Sequence, residues 1–207
     1  MKKTYGNLIV VDGLDGAGKT SAFAVIKEYL SEHFPDMELV LGEGAIFSDY
    51  HKDLKALMHK HKSQVSHNTL YNLWRSMWVD AWEKHGQGVF ERTKMVLSDR
   101  WLLTTGVYQD TDNTRSDHLI ESCNAIPGLT FLLTVSKDVA IKRITNYRPL
   151  DDFEIDYFQR HDKLKQDFID KTKVYCSDTV IIDTDNLTQE EVAEIIRNKL
   201  KEYFRHG

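Results

Sequence analysis

A glycine-rich turn at residues 13–20, GLDGAGKT, constrains this chain more than any other stretch. It follows a short apolar run at residues 8–11 and fits the pattern G-x-x-x-x-G-K-[ST]. Its glycines allow backbone conformations that other residues disfavour, so successive N–H groups can point inward around a phosphate. Residues 21–30 are expected to form a helix, whose positive end adds to the same anion site. An ordinary glycine-rich turn is the alternative, but the flanking strand and helix favour a phosphate loop.

Two side chains at the end of the turn extend its chemistry beyond the backbone. Lys19 is placed to reach the outer phosphates of a nucleotide, and the Thr20 hydroxyl is placed to bind a magnesium ion. The motif therefore predicts a bound phosphate chain together with Mg²⁺. The predicted cofactor contacts in the turn are Gly13, Asp15, Gly16, Ala17, Gly18, Lys19 and Thr20.

The rest of the chain alternates between short apolar runs and helical patterns. We expect strands at residues 8–11, 37–41, 95–98, 129–135 and 179–182. Strands that alternate with helices indicate an α/β fold, with a five-stranded parallel sheet and helices on both of its faces. A length of 207 residues suits one domain over residues 1–207.

Three details of this pattern are specific enough to check. Pro127 and Gly128 are expected to close a helix before the fourth strand, and residues 153–175 are expected to form one long helix. A T-x-x-E capping box at Thr188 is expected to start the last helix. The polar segment at residues 145–152 suits a short mobile lid over phosphates, and a plain solvated loop fits it equally well.

Charge and cysteine usage limit the class of protein. The net charge of −5 and the lack of a basic run argue against a nucleic-acid-binding surface. Cys123 and Cys176 lie far apart without a CxxC motif, which favours a reducing compartment over a disulfide framework. We expect no signal peptide and no membrane span, because the apolar runs are too short, and therefore a cytoplasmic enzyme.

Charged residues follow two of the predicted strands. In open α/β sheets, ligands bind beyond the carboxyl ends of the strands. Asp99, after the third strand, is a candidate magnesium partner, and Arg100 beside it is a candidate clamp for a second phosphate. A local ion pair of Asp99 and Arg100 is the alternative. Glu43, after the second strand, is expected near the phosphate loop, although a solvated carboxylate is more common in such a turn.

Two patterns share the predicted helix at residues 67–85. Trp74, Trp78 and Trp82 form a stripe that indicates core or a subunit interface, and this stripe motivates a homodimer. Tyr71 and Arg75 lie four residues apart on a different face. A flat ring beside a fork of donors is suited to a nucleobase, but the pattern alone leaves this open.

Histidines are frequent on and after the predicted helix at residues 49–62. A metal site formed by His51, His59, His61 and His67 is one interpretation. The pattern favours the alternative, a solvated polar face, because no acidic or cysteine ligand shares their spacing.

Taken together, these motifs resemble the thymidylate kinase family of P-loop nucleoside monophosphate kinases. The most specific pieces are residues 13–20 and the sequence SDRWLLTTGVYQ at residues 98–109, which is similar to the family's D-R-Y/H, S/T, A-Y-Q pattern. Tyr71-x-x-x-Arg75, residues 127–144 and VIIDTD before the last helix support it. The resemblance implies a three-layer P-loop kinase fold with a short lid and a homodimer. It also implies phosphoryl transfer from MgATP to a pyrimidine deoxynucleoside monophosphate, most simply dTMP.

The resemblance also implies roles for individual residues on the acceptor side. Asp15 would bind the sugar 3′-hydroxyl, Tyr71 would stack on thymine and Arg75 would read its O4 atom. Arg100 would hold the acceptor phosphate, and Asp99 would support Mg²⁺ together with Thr20. The remaining contacts implied for the acceptor are Glu43, Thr105, Tyr108 against the sugar 2′ position, and Gln109 beside it.

The catalytic arginine is expected to come from the lid. Gly16 occupies the loop position where some members of the family have an arginine, so Arg148 is the first choice and Arg143 the second. Arg143 has an alternative role, stacking on the adenine of ATP.

Two departures from the family's usual residues remove positive charge near the phosphates. Glu43 lacks the usual neighbouring arginine, and Asp152 stands where an arginine is common.

Two other functions compete with this one. A deoxynucleoside kinase would use Glu43 as general base on a sugar hydroxyl, and the missing arginine beside it fits that function. A guanine-nucleotide switch would require an N-K-x-D motif, which the sequence lacks.

Overall fold

The computed structural model describes residues 3–61, 64–110 and 114–205. Its sheet contains β1 (Thr4–Gly13), β2 (Glu38–Gly42), β3 (Lys94–Asp99), β4 (Ile126–Thr134) and β5 (Asp178–Asp183). The strands are parallel and lie in the order β2-β3-β1-β4-β5. The predicted five-stranded parallel sheet of a P-loop kinase fold is confirmed.

Helices connect the strands and pack around the sheet. They are α1 (Lys19–His33), α2 (Asp49–Lys60), α3 (His67–Phe90), α4 (Leu102–Tyr108), α5 (Ser116–Cys123), α6 (Lys137–Thr145), α7 (Asp152–Gln159), α8 (His161–Tyr175) and α9 (Gln189–Arg205). The predicted end of α2 at Lys62 lies outside the described residues. The predicted capping box of α9 is present, because the Glu191 N–H donates to the Thr188 hydroxyl at 3.2 Å and the Thr188 N–H donates to the Glu191 carboxylate at 2.8 Å.

The central strand β1 shows why the sheet forms. Residues 8–11 are an unbroken apolar run, and each is at most 1 % exposed. Because successive side chains of a strand point to opposite faces, both faces of β1 are covered. Such a run is typical of a parallel strand between two helical layers.

The register of the sheet brings the ends of three strands together. Val11 of β1 lies opposite Asp99 of β3, and Gly13 lies opposite Leu133 of β4. Asp12 is fully buried and accepts hydrogen bonds from the Gly13 N–H at 2.8 Å and the Thr104 N–H at 3.2 Å. The carboxylate of Asp12 therefore ties the start of the glycine-rich turn to α4.

Two boundaries differ from the sequence-based expectation. Pro127 and Gly128 lie inside β4, where Pro127 pairs with Tyr5. A proline is tolerated there because the register of β1 and β4 shifts just after Tyr5, where the regular ladder is interrupted. The expected long helix is two helices, because the Arg160 N–H bonds the Tyr157 carbonyl three residues back and ends α7 in a tight turn.

The tryptophan stripe of α3 packs inside the chain. Trp78 is fully buried, and its ring lies 5.2 Å from that of Trp101. Trp82 contacts Trp101 at 6.5 Å and Tyr5 at 4.7 Å between ring centroids. Trp78 is therefore core, while Trp74 and Trp82 are half-buried against it. The stripe is not the exposed aromatic surface on which the argument for dimerisation rested. A homodimer remains a prediction from the resemblance.

Among the described residues, no helix combines the length and the apolar character that crossing a membrane requires.

Candidate active site

The glycine-rich turn leaves β1 and enters α1 in the conformation that its sequence predicts. Gly13 has a φ of 126°, and a Cβ atom there would lie 2.0 Å from the Leu133 carbonyl oxygen. Gly16 has a φ of 78°, and its Cβ would lie 2.9 Å from the Cα atom of Ala140. Only glycine fits either position, because each needs both a left-handed conformation and a close approach of neighbouring backbone.

Two buried cations face each other across Asp15. Lys19 donates to the Leu14 carbonyl at 2.8 Å and to Asp15 Oδ1 at 3.2 Å. Arg100 forms an ion pair with the same Oδ1 atom and donates to the Gly13 carbonyl at 3.2 Å. Burial alone raises the pKa of Asp15, but Arg100 and Lys19 outweigh it and hold that pKa well below its usual range. Asp15 is thus an anion between two cations.

The residues predicted to hold magnesium fit that ion. Asp99 ends β3, and its Oδ1 atom is buried without a hydrogen-bond partner. Thr20 lies exposed in the first turn of α1. Burial lowers the pKa of the preceding residue, Lys19, and Asp99 is close enough for its charge to oppose this shift. Carboxylate and hydroxyl oxygens are the ligands that Mg²⁺ prefers, with phosphate and water completing its shell.

The histidine-rich segment offers no metal site in the part of the chain that the structure describes. No group of three or more His, Cys, Asp or Glu side chains there could hold an ion. His51 is buried and bonded to Asp80 at 2.9 Å, while His59 and His67 are exposed. The solvated face therefore describes His59 and His67, whereas His51 is a buried, hydrogen-bonded histidine that neither interpretation predicted.

A cleft of about 190 Å³ lies beside the two cations. It is enclosed by the glycine-rich turn, the end of β3 and helices α2, α3, α4 and α7. Four residues predicted for the acceptor line it: Asp15, Arg100, Tyr108 and Gln109. The structure thus brings together residues that lie up to 94 positions apart, counting from Asp15 to Gln109.

Tyr108, the last residue of α4, and Gln109, which follows it, differ in their contacts. The Tyr108 ring stacks on Tyr157 at 4.2 Å, and burial raises the pKa of its hydroxyl well above the usual value. Gln109 is 8 % exposed, and its side-chain Oε1 atom is buried without a hydrogen-bond partner. A buried carboxamide that is open to a cleft is available to bind a ligand, because leaving it unpaired is unfavourable.

Tyr71 and Arg75 do not line this cleft, contrary to the prediction. Tyr71 is 1 % exposed, and its hydroxyl donates to the Arg115 carbonyl at 3.3 Å. The Arg75 Nε–H donates to the Ser122 hydroxyl. The face of α3 that carries both residues packs against α5 and the segment before it, away from the cleft.

Thr105 and Glu43 are also outside the cleft. Thr105 is fully buried, and its hydroxyl accepts a hydrogen bond from the Trp78 indole N–H at 2.9 Å. Its neighbour Thr104 lines the cleft instead. Glu43 has a side chain that is 64 % exposed and lies 3.4 Å from Lys27. Glu43 is therefore a solvated carboxylate, the alternative that the sequence analysis gave for it.

Trp74 lines the cleft and was missed by the sequence analysis as a ligand contact. It lies three residues after Tyr71 on α3, and its ring stacks against that of Trp78 at 6.2 Å. The tryptophan stripe was the available signal, but it indicated core equally well.

Lys55 is the second missed residue. It lies on α2, lines the cleft, and donates to the Gly44 carbonyl at 2.8 Å. Burial and the nearby Arg100 lower the pKa of its ammonium group. The only hint in the sequence was the missing arginine beside Glu43, which gives no position for a replacement.

The predicted lid lies between α6 and α7 at the mouth of the cleft. Arg148 is 51 % exposed and donates to the two carboxylate oxygens of Glu154 at 2.7 and 2.6 Å. Glu154 also completes a capping box with Asp151. The Phe153 ring contacts His59 of α2 at 4.6 Å, so α7 reaches across the cleft to α2. Arg148 therefore faces the cleft while paired with a carboxylate.

A second cavity of about 410 Å³ lies on the other side of the glycine-rich turn. Arg143 lines it and donates to the Gly16 carbonyl at 3.3 Å and the Thr184 carbonyl at 2.7 Å. These bonds join Arg143 to the glycine-rich turn and to the residue that follows β5.

Comparison with known proteins gives a family for this geometry. A model of the thymidylate kinase family matches residues 11–196. The chain belongs to the thymidylate kinase family. The family consists of phosphotransferases that use ATP, generally with Mg²⁺.

Individual members of the family are similar over most of their length. A thymidylate kinase of Aster yellows witches'-broom phytoplasma is 23 % identical over 204 residues, 95 % of this chain and 98 % of that protein. A probable thymidylate kinase of Metallosphaera sedula is 33 % identical over 153 residues, 72 % of this chain and 70 % of that protein. A crystal structure of thymidylate kinase from Ehrlichia chaffeensis has a TM-score of 0.69 at 21 % identity, covering 96 % and 98 % of the two chains.

Proposed function

We propose that this chain transfers the γ-phosphate of MgATP to dTMP, forming ADP and dTDP. The observation that carries the proposal is the pair of cations on either side of Asp15, with Lys19 in the phosphate loop and Arg100 in the adjoining cleft. Phosphate groups bound at Lys19 and at Arg100 would lie next to each other, as transfer between two nucleotides requires.

The donor nucleotide is assigned to the phosphate loop. The loop N–H groups and Lys19 would hold its phosphates, and the cavity beside Arg143 would take its base. Thr20 and Asp99 would hold Mg²⁺, which neutralises charge on the phosphates when bound.

The acceptor is assigned to the cleft beside Arg100. Arg100 and Lys55 would bind its phosphate, and the Trp74 ring would take the place that the resemblance gives to Tyr71. The Gln109 carboxamide presents both a donor and an acceptor, which matches the N3–H and carbonyl edge of thymine. Asp15 would bind the sugar 3′-hydroxyl, and Tyr108 would exclude a 2′-hydroxyl.

The chemistry needs little beyond positioning and charge. The acceptor phosphate oxygen is already ionised near neutral pH, so no strong general base is required. Lys19 and Arg100 would stabilise charge that develops on the transferred group. Arg148 would add to them from the lid after it exchanges its partner Glu154 for phosphate oxygens.

The geometry disfavours the rival deoxynucleoside kinase. Such an enzyme needs a base beside the sugar 5′-hydroxyl, whereas Glu43 is 64 % exposed and paired with Lys27. We expect Glu43→Gln to leave the turnover of dTMP unchanged within about twofold, the effect of a surface substitution. Loss of activity in Glu43→Gln would return Glu43 to the acceptor site.

A panel of nucleotides tests the function directly. ATP and Mg²⁺ are supplied with dTMP, dUMP, dCMP, dAMP, dGMP or thymidine, and ADP release is measured by a coupled assay. We expect dTMP to give the highest kcat/KM and thymidine to give none. Phosphorylation of thymidine without phosphorylation of dTMP would overturn the proposal.

We also propose a homodimer, on the resemblance to the family alone. Size-exclusion chromatography with light scattering measures the mass directly. A monomer mass of 24.1 kDa at micromolar concentration would contradict the dimer.

A further inference from the structure

His51 is a buried histidine outside the cleft whose two ring nitrogens both have partners. Its side chain is fully buried in the first turn of α2. Nδ1 accepts a hydrogen bond from the Phe47 N–H at 3.3 Å, and Nε2 lies 2.9 Å from Asp80 Oδ2. A nitrogen that accepts carries no proton, so Nε2 carries the proton and donates it to Asp80. His51 is therefore a neutral imidazole with a defined tautomer.

These two bonds join three segments of the chain. Phe47 lies at the end of the turn that follows β2, His51 lies on α2, and Asp80 lies on α3. Asp80 is itself fixed by Lys84, which donates to the same Oδ2 atom at 2.8 Å. The imidazole thus attaches the turn and α2 to α3, the helix that forms one wall of the cleft.

Lys55 meets the same turn from the next turn of α2. It lies four residues after His51, and residues at this spacing share one face of a helix. Its ammonium group donates to the Gly44 carbonyl. The turn is therefore held at Phe47 by His51 and at Gly44 by Lys55, and both contacts depend on how α2 sits against the turn.

We propose that His51 is a positioning residue for the acceptor site. By bonding Phe47 and Asp80 at once, it fixes α2 relative to the turn and to α3, so that the Lys55 ammonium lies in the cleft beside Arg100. This inference rests on the proposed function, in which Lys55 binds the acceptor phosphate.

The environment of His51 supports a positioning role over a charged one. Burial lowers the pKa of the imidazole, although Asp80 opposes this shift. The groups that face it are Asp80 and Lys84 of α3 and the rings of Phe47 and Tyr50, at 6.0 and 5.8 Å. A neutral imidazole can satisfy the Phe47 N–H, whereas an imidazolium has no lone pair to accept it.

Two substitutions separate the two bonds. In His51→Asn the side-chain oxygen can occupy the place of Nδ1 and keep the bond to Phe47, but it cannot reach Asp80. In His51→Gln the amide can occupy the place of Nε2 and keep the bond to Asp80, but it leaves Phe47 unpaired. We expect each variant to raise KM for dTMP by about three- to tenfold, as the loss of one buried hydrogen bond gives. We expect kcat and KM for ATP to change by less than about twofold.

Lys84→Ala is the matched control. It removes the other partner of Asp80 from an exposed position and leaves both bonds of His51 in place. We expect its KM for dTMP to stay within about twofold of the original. An equal rise in KM in Lys84→Ala and both His51 variants would overturn the inference.

A double-mutant cycle tests whether His51 acts through Lys55. Lys55→Ala removes the ammonium group, so adding His51→Gln to it is expected to raise KM for dTMP by less than about twofold more. If His51→Gln acted only by lowering stability, it would raise KM for dTMP by the same factor in the original protein and in Lys55→Ala. Such additive effects would overturn the proposal.

A measurement on the unaltered protein avoids any failure of the variants to fold. ¹⁵N NMR of the imidazole reports which nitrogen carries the proton. We expect Nε2–H at neutral pH and a shift of this resonance when dTMP is added. An Nδ1–H tautomer or an imidazolium would overturn the inference. An absence of dTMP kinase activity in the unaltered protein would instead refute the proposed function, whatever the tautomer.

Discussion

The two halves of the active-site region are built in different ways. The loop half comes from two short runs of consecutive residues, the glycine-rich turn between β1 and α1 and the pair Asp99–Arg100 at the end of β3. The helical half comes from Lys55, Trp74 and Phe153, on three helices that are distant in sequence. The first half is set by local backbone conformation, whereas the second is set by how helices pack.

Helix α3 shows what this difference means in practice. Tyr71 and Arg75 lie four residues apart, and so do Trp74 and Trp78. Both pairs are compatible with a helix face, and a shift of three residues is less than one turn. Only the packing of α3 against α5 decides that Trp74, and not Tyr71, lines the cleft.

The largest expected effect on kcat comes from a substitution in the lid. Arg148→Ala is expected to lower kcat by about 10³-fold, as the loss of an arginine finger does, and to raise KM for ATP far less. Arg143→Ala is the matched variant, because Arg143 was the second choice for the same role. Single-turnover kinetics separate the chemical step from product release. Near-normal turnover in Arg148→Ala, with a large loss in Arg143→Ala, would move the catalytic role to Arg143.

In the loop half, Lys19→Ala is expected to lower kcat by about 100-fold, because a buried charge that faces the phosphates is lost. Lys27→Ala serves as the control, since Lys27 lies on the same helix and its side chain is 46 % exposed. The coupled ADP assay at saturating substrate measures both. Equal activity of the two variants would contradict the assignment of the loop.

These two halves also differ in how far they could be predicted. The five strands, their parallel arrangement and the loop followed from the apolar runs and the glycine spacing, and Arg100 and Gln109 followed from one contiguous motif. Lys55 could not be predicted, because 45 residues separate it from Arg100 and no local pattern links them. Pro127 was misplaced for a similar reason, since its tolerance in β4 depends on an irregular register with β1.

A moderate effect on KM is expected at the end of the cleft that is proposed to bind the base. It distinguishes the face of α3 that carries Trp74 from the face that carries Tyr71 and Arg75. Trp74→Ala is expected to raise KM for dTMP about tenfold, in the range for one base stacked on an aromatic ring. Arg75→Gln removes the guanidinium that the sequence predicts to read the thymine O4 atom, and because Arg75 is bonded to Ser122 outside the cleft it is expected to leave KM unchanged. Steady-state kinetics with dTMP as the varied substrate measure both. A rise in KM in Arg75→Gln alone would restore the face predicted from the sequence.

The smallest effect is on stability, and it concerns the helices around the base end. Burial lowers the pKa of His51 and of His85 from the ordinary value of 6.5. The unfolded chain therefore binds more protons below that value, so stability is fully present above it and falls as the pH decreases. We expect Tm to fall as the pH is lowered from about 7 to about 5, the range in which histidine titrates.

His51→Gln is expected to reduce this slope, because it removes one of the two histidines whose pKa is lowered by burial. His67→Gln, at an exposed position at the start of α3, is the control and should keep the full slope. An unchanged slope in His51→Gln would show that folding does not lower the pKa of His51.

The position of Asp15 between Lys19 and Arg100 links the occupancy of the two halves. On the proposed assignment, a donor phosphate that attracts Lys19 would leave the carboxylate to Arg100 alone, and an acceptor phosphate would have the opposite effect. Each substrate would thus alter the affinity for the other through a shared counter-ion. Thermodynamic reciprocity requires the same factor in both directions, whichever nucleotide arrives first.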